Sequence, residues 1–322
     1  ITATPSKEEQ YTLKLTFVNY EGDQTENAKS TLSAKVMIQK NMIPFHETCN
    51  DNTLACHIAK LYTGTQGENS IYYHDASLTN GAGDNSYRFA GAGDAVNNYV
   101  CFGSTQSPCP ADNLYRIIGL FGDRVKLIKS TSVGDKLWDS NKSNKWSTSS
   151  LNSYLNNEFI NTFDAGAKEK IAETTWKVGG NKSSNILYQP AKTAYQNEIV
   201  NPVTTNSTDS KTEYSAKIGL MYVSDYGFAA SPSAWTTILN NYYDEAIKSV
   251  NWMNMELCEW TISRYAGTSI FAFTVNESRF VSGDHYGTVG NDALGVRPVF
   301  YLSSSVNYVS GSGGATDPIV VN

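Results

Sequence analysis

Tyr11, Leu13, Leu15 and Phe17 alternate with Thr12, Lys14 and Thr16, the period of a half-buried strand, and Val36 and Ile38 suggest a second. Leu54, Ile58 and Leu61 fall at i, i+4 and i+7, which predicts a short amphipathic helix. Residues 1–69 are therefore expected to form a small β-containing N-terminal unit with a connecting helix. The main domain, residues 70–322, is expected to begin near Ile71. Within it, residues 115–128 read as a hairpin with Gly122-Asp123 as a two-residue turn. After Trp146 the spacing of Leu151, Tyr154, Leu155, Ile160 and Phe163 predicts a helix capped by Ser147, Thr148 or Ser149. Residues 167–176 suggest another helix, residues 217–224 a buried strand, and Ser231-Pro232 before Trp235, Ile238 and Leu239 a further helix start. Residues 201–212 have the composition of a surface loop.

The most informative block is residues 252–302. Trp252, Met253, Met255, Leu257 and Trp260 form an apolar head, and Val296, Pro298, Val299, Phe300, Tyr301 and Leu302 a strand-like tail. Between them, Ala272, Thr274 and Asn276 alternate with Phe271, Phe273 and Val275, so one face of a strand packs and the other is expected to point outward. The Tyr-, Asn-, Ser- and Gly-rich composition suits a binding surface, because Tyr supplies rigid contact area and the small polar residues supply adaptable hydrogen bonds. The candidate ligand-binding residues are Tyr265, Phe271, Thr274, Asn276, Glu277, Phe280, Ser282, Asp284, His285, Tyr286, Asn291 and Asp292. Tyr265, Thr274, Asn276, Phe280, His285, Tyr286 and Asn291 are expected to lie exposed on one contiguous face.

Composition narrows the partner classes. Charged residues make up 17%, against 20 Tyr, and the net charge of −6 comes without any Lys/Arg run, so nucleic acid is not an expected partner. No apolar stretch reaches the length of a membrane span. The sequence starts at Ile1 rather than Met, which suggests a mature form or fragment with a membrane or pilus anchor upstream. The five cysteines suggest disulfides Cys49–Cys56 and Cys101–Cys109, with Cys258 free and buried, and hence an extracellular or cell-surface location.

No nucleophile–base signature accompanies His46, His57, His74 or His285, and no G-x-S-x-G, H-E-x-x-H or P-loop is present. No catalytic residue, metal or cofactor is assigned. Asp84, Asn85, Asp94 and Asn98 carry oxygens that calcium accepts, but a solvated loop explains them better. Arg297 lies among apolar residues and is expected in a structural ion pair.

Several segments carry a resemblance: SYRFAGAGDAVNNYVCFGS (86–104), CPADNLYRIIGLFGDRVKLIKS (109–130), TTWKVGGN (174–181), AYQNEIV (194–200), KIGLMYVSDYGFAASP (217–232), EWTISR (259–264) and GVRPVFYLSSSVNYVSGSG (295–313). Over residues 70 to 315 the chain resembles bacterial surface proteins with a C-type-lectin-like domain. Its final part resembles the variable proteins of diversity-generating retroelements, in which a C-terminal block on that scaffold is randomised. The resemblance implies an α+β, C-type-lectin-like fold and a diversified receptor or adhesin that binds a protein or glycan without catalysis. Two alternatives stand beside it. One is a relative of formylglycine-generating enzymes, which share the fold but depend on a cysteine pair late in the domain, where this chain has Cys258 alone. The other is a pilus or envelope component without a specific ligand. The calcium–sugar motifs of animal C-type lectins are absent, so calcium gains no support from the resemblance.

Overall fold

The computed structural model describes residues 44–202, 211–283 and 288–322. The strands expected around Tyr11–Phe17 and Val36–Ile38 lie outside these residues. Residues 43–322 form one compact unit. It is an α+β structure with extensive sheet and short helices.

The chain first lays down β1 (Ile71–His74), β2 (Ser86–Phe89), β3 (Tyr99–Cys101), β4 (Leu114–Phe121) and β5 (Arg124–Lys129). Next come β6 (Asp135–Leu137), β7 (Thr174–Lys177), β8 (Gly180–Asn181), β9 (Glu213–Ala216) and β10 (Ile218–Gly219). The C-terminal part supplies β11 (Glu259–Tyr265), β12 (Ala272–Val275), β13 (Val281–Ser282), β14 (Ala293–Gly295), β15 (Val299–Tyr301), β16 (Tyr308–Ser310) and β17 (Ile319–Val321). A nine-stranded sheet runs β10-β15-β5-β4-β3-β17-β16, with β2 also pairing β4 and β1 pairing β2. A six-stranded sheet runs β13-β12-β11-β14-β6, with β8 added to β11. β7 and β9 form a separate pair.

The β4–β5 hairpin forms as expected, with Phe121 opposite Arg124 and Gly122 at φ +64°, a left-handed conformation that suits a residue without Cβ. Beside β5 lies β15, so residues 299–301 are in the core sheet. Phe300 sits with Phe102, Tyr115 and Phe163 at ring-centroid distances of 5.3, 5.2 and 5.9 Å, within the range where aromatic rings attract. All six tryptophans are buried. Two of their indoles fasten the β6 region to β11: Trp138 Nε1 donates to the Thr261 carbonyl and Trp260 Nε1 to the Lys136 carbonyl.

Several elements differ from the sequence expectation. The helix at Leu54–Lys60 forms, capped by the Thr53 hydroxyl, but it is no connector: Leu54, Ala55 and Ile58 belong to the main core. The helix after Trp146 is capped by Ser149 at Ser150–Ser153 and then continues through wider and tighter turns to Thr162. The helix expected at 167–176 stops at Lys170, and Thr174–Lys177 is a strand instead. Of residues 217–224, only Ile218–Gly219 pairs as a strand; the rest leads into the Val223–Ala229 helix, whose seven residues are all buried. An apolar run buried on every side has no period to separate helix from strand. Pro232–Ala234 makes only a single tight helical turn.

Both disulfides, Cys49–Cys56 and Cys101–Cys109, are present. Cys258 is free but half-buried rather than buried, because it sits just before β11 beside the exposed Glu277. Among the described residues no helix is long and apolar enough to cross a membrane.

Candidate functional site

β11, β12 and β13 run antiparallel in sequence, so their two connecting turns lie at opposite ends of the six-stranded sheet. The candidate ligand-binding residues divide between those ends. Phe271 and Asn276 are five residues apart on an extended strand, about 17 Å. They do not form one contiguous face.

The first end carries the turn 266–270 between β11 and β12. Tyr265 and Phe271 flank it, both half-buried, with ring centroids 6.3 Å apart. Ile270 between them is 38% exposed. Asn144, wholly buried, holds this turn: its Nδ2 donates to the carbonyls of Tyr265 (2.8 Å), Thr268 (3.0 Å) and Phe271 (2.8 Å). The Asn144 backbone N–H donates to the Ser269 carbonyl at 2.7 Å. The segment after β13 returns to the same end, where Thr288 bridges Phe271 and the Val289 N–H donates to the Ile270 carbonyl. Asp292 accepts from the Thr288 N–H at 3.1 Å, and Asn291 beside it is exposed. Asp284, His285 and Tyr286 lie outside the described residues.

The opposite end carries the turn between β12 and β13. Asn276 organises it by accepting from the Ser278 N–H at 2.8 Å. Glu277 is exposed, and its N–H points at the Cys258 sulfur 3.4 Å away. Phe280 is half-buried against Tyr243 with ring centroids 6.2 Å apart, and Arg279 pairs with Glu256.

Three candidates are misplaced by the sequence reading. Thr274, Asn276 and Ser282 are 0%, 3% and 5% exposed. All four residues of β12 are buried, so the polar half of its alternation meets protein rather than solvent. Thr274 faces Ser282 across the ladder. Small polar side chains fit such positions at low steric cost, and alternation alone does not distinguish this from a solvated face.

Sequence reasoning missed a buried ionic centre where both sheets meet the Val223–Ala229 helix. Arg88 on β2 pairs with Asp84 at 2.7 Å and lies 3.7 Å from Asp225. Lys126 on β5 donates to Asp225 at 2.5 Å, and the Asp225 carboxylate also accepts from the Tyr222 N–H. Glu198 accepts from the N–H groups of Val223 (3.1 Å) and Ser224 (3.0 Å) and from the Ser263 hydroxyl on β11. The Lys126 ammonium is ringed by Tyr222, Tyr301, Phe121 and Trp176 at 4.7–5.8 Å. Burial pushes the Lys126 pKa down against the pull of Asp225, and burial raises Glu198 to about 7 despite its donors. Burial would raise Asp84 as well, but the Arg88 guanidinium, the Ser86 hydroxyl and His74 together hold the carboxyl at about 2. The only sequence signals were a lysine inside the apolar strand RVKLIK and an aspartate inside the apolar run MYVSDYGF.

Arg297 forms the expected structural pair, donating to both Glu259 oxygens at 2.6 and 2.7 Å with both residues buried. Asp84 and Asn98, weighed as calcium ligands, are engaged by Arg88 and by Arg116. No group of three or more His, Cys, Asp or Glu among the described residues is arranged to hold a metal. A cleft of about 380 Å³ opens elsewhere, between the Cys101–Cys109 loop and the Ala165–Lys170 helix. Its titratable lining is Asp164, which caps that helix through the Ala167 N–H, and Lys170.

A mixed-sheet scaffold with a braced turn at one end is therefore the class of structure in hand. The chain belongs to the family described as a domain of unknown function (DUF6273), which matches residues 122–304, more than half of its 322 residues. Comparison with curated proteins and with solved structures gave no match.

Proposed function

We propose that this chain is an extracellular or surface-displayed binding protein with a C-type-lectin-like domain, of the diversified receptor or adhesin kind. It recognises a protein or glycan through the Tyr265–Phe271 end of the six-stranded sheet. The observation that carries the reading is the turn 266–270, where an exposed aliphatic residue sits between two half-buried aromatics on a backbone held by Asn144. A turn fixed before contact loses little entropy on binding, and a few central apolar residues dominate the affinity of such surfaces.

Topology supports the scaffold assignment. β17, near the C-terminus, pairs in parallel with β3, and a separate sheet carries the loops of the C-terminal block. Chemistry favours binding over the formylglycine-type alternative, since four of the five cysteines are in disulfides and Cys258 has no partner thiol. Glu198 and Lys126, whose pKa values burial shifts, are sealed in the core, where no substrate reaches them.

The test uses immobilised glycans and a panel of purified surface proteins as probes. The wild-type chain is expected to give at least one saturable signal that Ile270→Asp removes and Tyr243→Ala, at the opposite end, preserves. Loss on Tyr243→Ala alone, or no saturable signal on either panel, refutes this reading. A template repeat beside the gene, differing from the 252–302 coding block only at adenines, tests the diversification part.

A further inference from the structure

We propose that Lys126 and Asp225 condense into an intramolecular amide, so that the mature chain carries a covalent cross-link between β5 and the Val223–Ala229 helix.

Three observations meet at this point. Lys126 Nζ and Asp225 Oδ2 are 2.5 Å apart, and both residues are almost completely buried. Reacting groups held at contact distance gain most of the advantage of an intramolecular reaction. The amine is enclosed by the rings of Tyr222, Tyr301, Phe121 and Trp176, a low-dielectric setting that penalises the ammonium and favours the nucleophilic free amine. A third titratable group stands beside the pair: Glu198 is held on the same first helical turn that carries Asp225, through the N–H groups of Val223 and Ser224. Its carboxylate takes those N–H groups and the Ser263 hydroxyl, which fixes the turn and so holds the Asp225 carboxyl against Lys126.

The charge balance points the same way. Arg88 has its own counter-ion in Asp84. Lys126 and Asp225, with Arg88 3.7 Å from the carboxylate, are then a buried pair whose desolvation is costly while both stay charged. Condensation removes both charges and leaves Arg88–Asp84 neutral as a unit.

The step balances without any other reactant. Starting from the ammonium–carboxylate pair, Nζ gives a proton to the Asp225 oxygen it touches, and the free amine attacks Cγ of the neutral carboxyl, forming the C–N bond. The C–O bond to one carboxylate oxygen breaks. That oxygen leaves as water with the two protons shed by nitrogen. No oxidant or reductant takes part.

The test is the intact mass of the full wild-type chain with both disulfides reduced. The expected result is a mass lower than that of the sequence by one water molecule, with a branched peptide in the digest joining the segments around Lys126 and Asp225. A mass equal to that of the sequence overturns the proposal. So does a water loss that maps to any other site, such as a cyclised aspartate. Lys126→Arg and Asp225→Ala are expected to restore the full mass, but the wild-type measurement does not depend on their folding.

Discussion

At one end of β12 the turn 266–270 takes its hydrogen bonds from Asn144, a buried side chain 121 residues away from Tyr265. At the other end the turn 277–279 is held by Asn276, immediately before it, and by the Arg279–Glu256 pair at the surface. Both turns join neighbouring antiparallel strands of one sheet, and both carry partly exposed aromatics. They differ in where the restraint comes from. A turn braced by a distant core residue keeps most of its shape while its own side chains change, because among them only the Thr268 hydroxyl takes part, accepting from the Ile270 N–H at 3.4 Å. A turn braced by its own residues loses its restraint when they change. The first arrangement better suits a surface whose residues vary, and this is the physical ground of the proposed binding site at the Tyr265–Phe271 end.

The sharpest way to break this comparison is Asn144→Ala. It strips hydrogen-bond donors from three carbonyls at once, and the expected loss is about 3–5 kcal/mol of stability, read from urea denaturation. A loss below about 1 kcal/mol would mean that the turn holds itself and that the two ends are built alike.

A second test concerns the support shared by both turns. Glu198 bonds Ser263 on β11, and its folded-state pKa of about 7 lies above the ordinary value of 4.5. The folded state therefore binds this proton more tightly than the unfolded one. The stability it contributes is complete below pH ~4.5 and is lost as the pH rises through about 7, up to about 3 kcal/mol in all. Thermal melts should show a Tm that falls between pH 5 and 8, and a flatter profile in Glu198→Gln. Asp84 acts in the opposite sense, but only as the pH falls from about 4 towards 2, so the two windows separate. A Tm that rises from pH 5 to 8 in the wild type and is flattened by Glu198→Gln would reverse the assignment.

The smallest effect belongs to the surface pair. Arg279→Ala is expected to change stability by less than about 0.5 kcal/mol, since Glu256 is mostly exposed and such pairs are screened. A larger loss, persisting in high salt, would show that the second turn also depends on a firm external brace.

What was legible in the sequence follows from the range of the interactions. The β4–β5 hairpin was legible because its alternation and its Gly122-Asp123 turn are local. The disulfides were legible because their partners are seven and eight residues apart. Trp252, Met253 and Trp260 were legible as core, while Met255 in the same run is exposed. Thr274 and Ser282 misled because two small polar residues facing each other inside a sheet produce the same alternation as a wet face. The Lys126–Asp225 pair was illegible because its partners are 99 residues apart, and neither segment records which charge the other supplies.

The family segment begins at residue 122, and Gly122 is the first of the two residues that turn β4 into β5. A cut there separates a strand from its nearest neighbour. β5 would keep β15 on one side and lose β4 on the other, and with β4 would go the connection to β3, β17 and β16. The excised piece would present the unpaired backbone edge of RVKLIK, open to pairing with another chain. The boundary of sequence similarity in this protein is therefore not a boundary of folding, and the smallest piece that closes its own sheets must include strands that lie outside the family match on both sides.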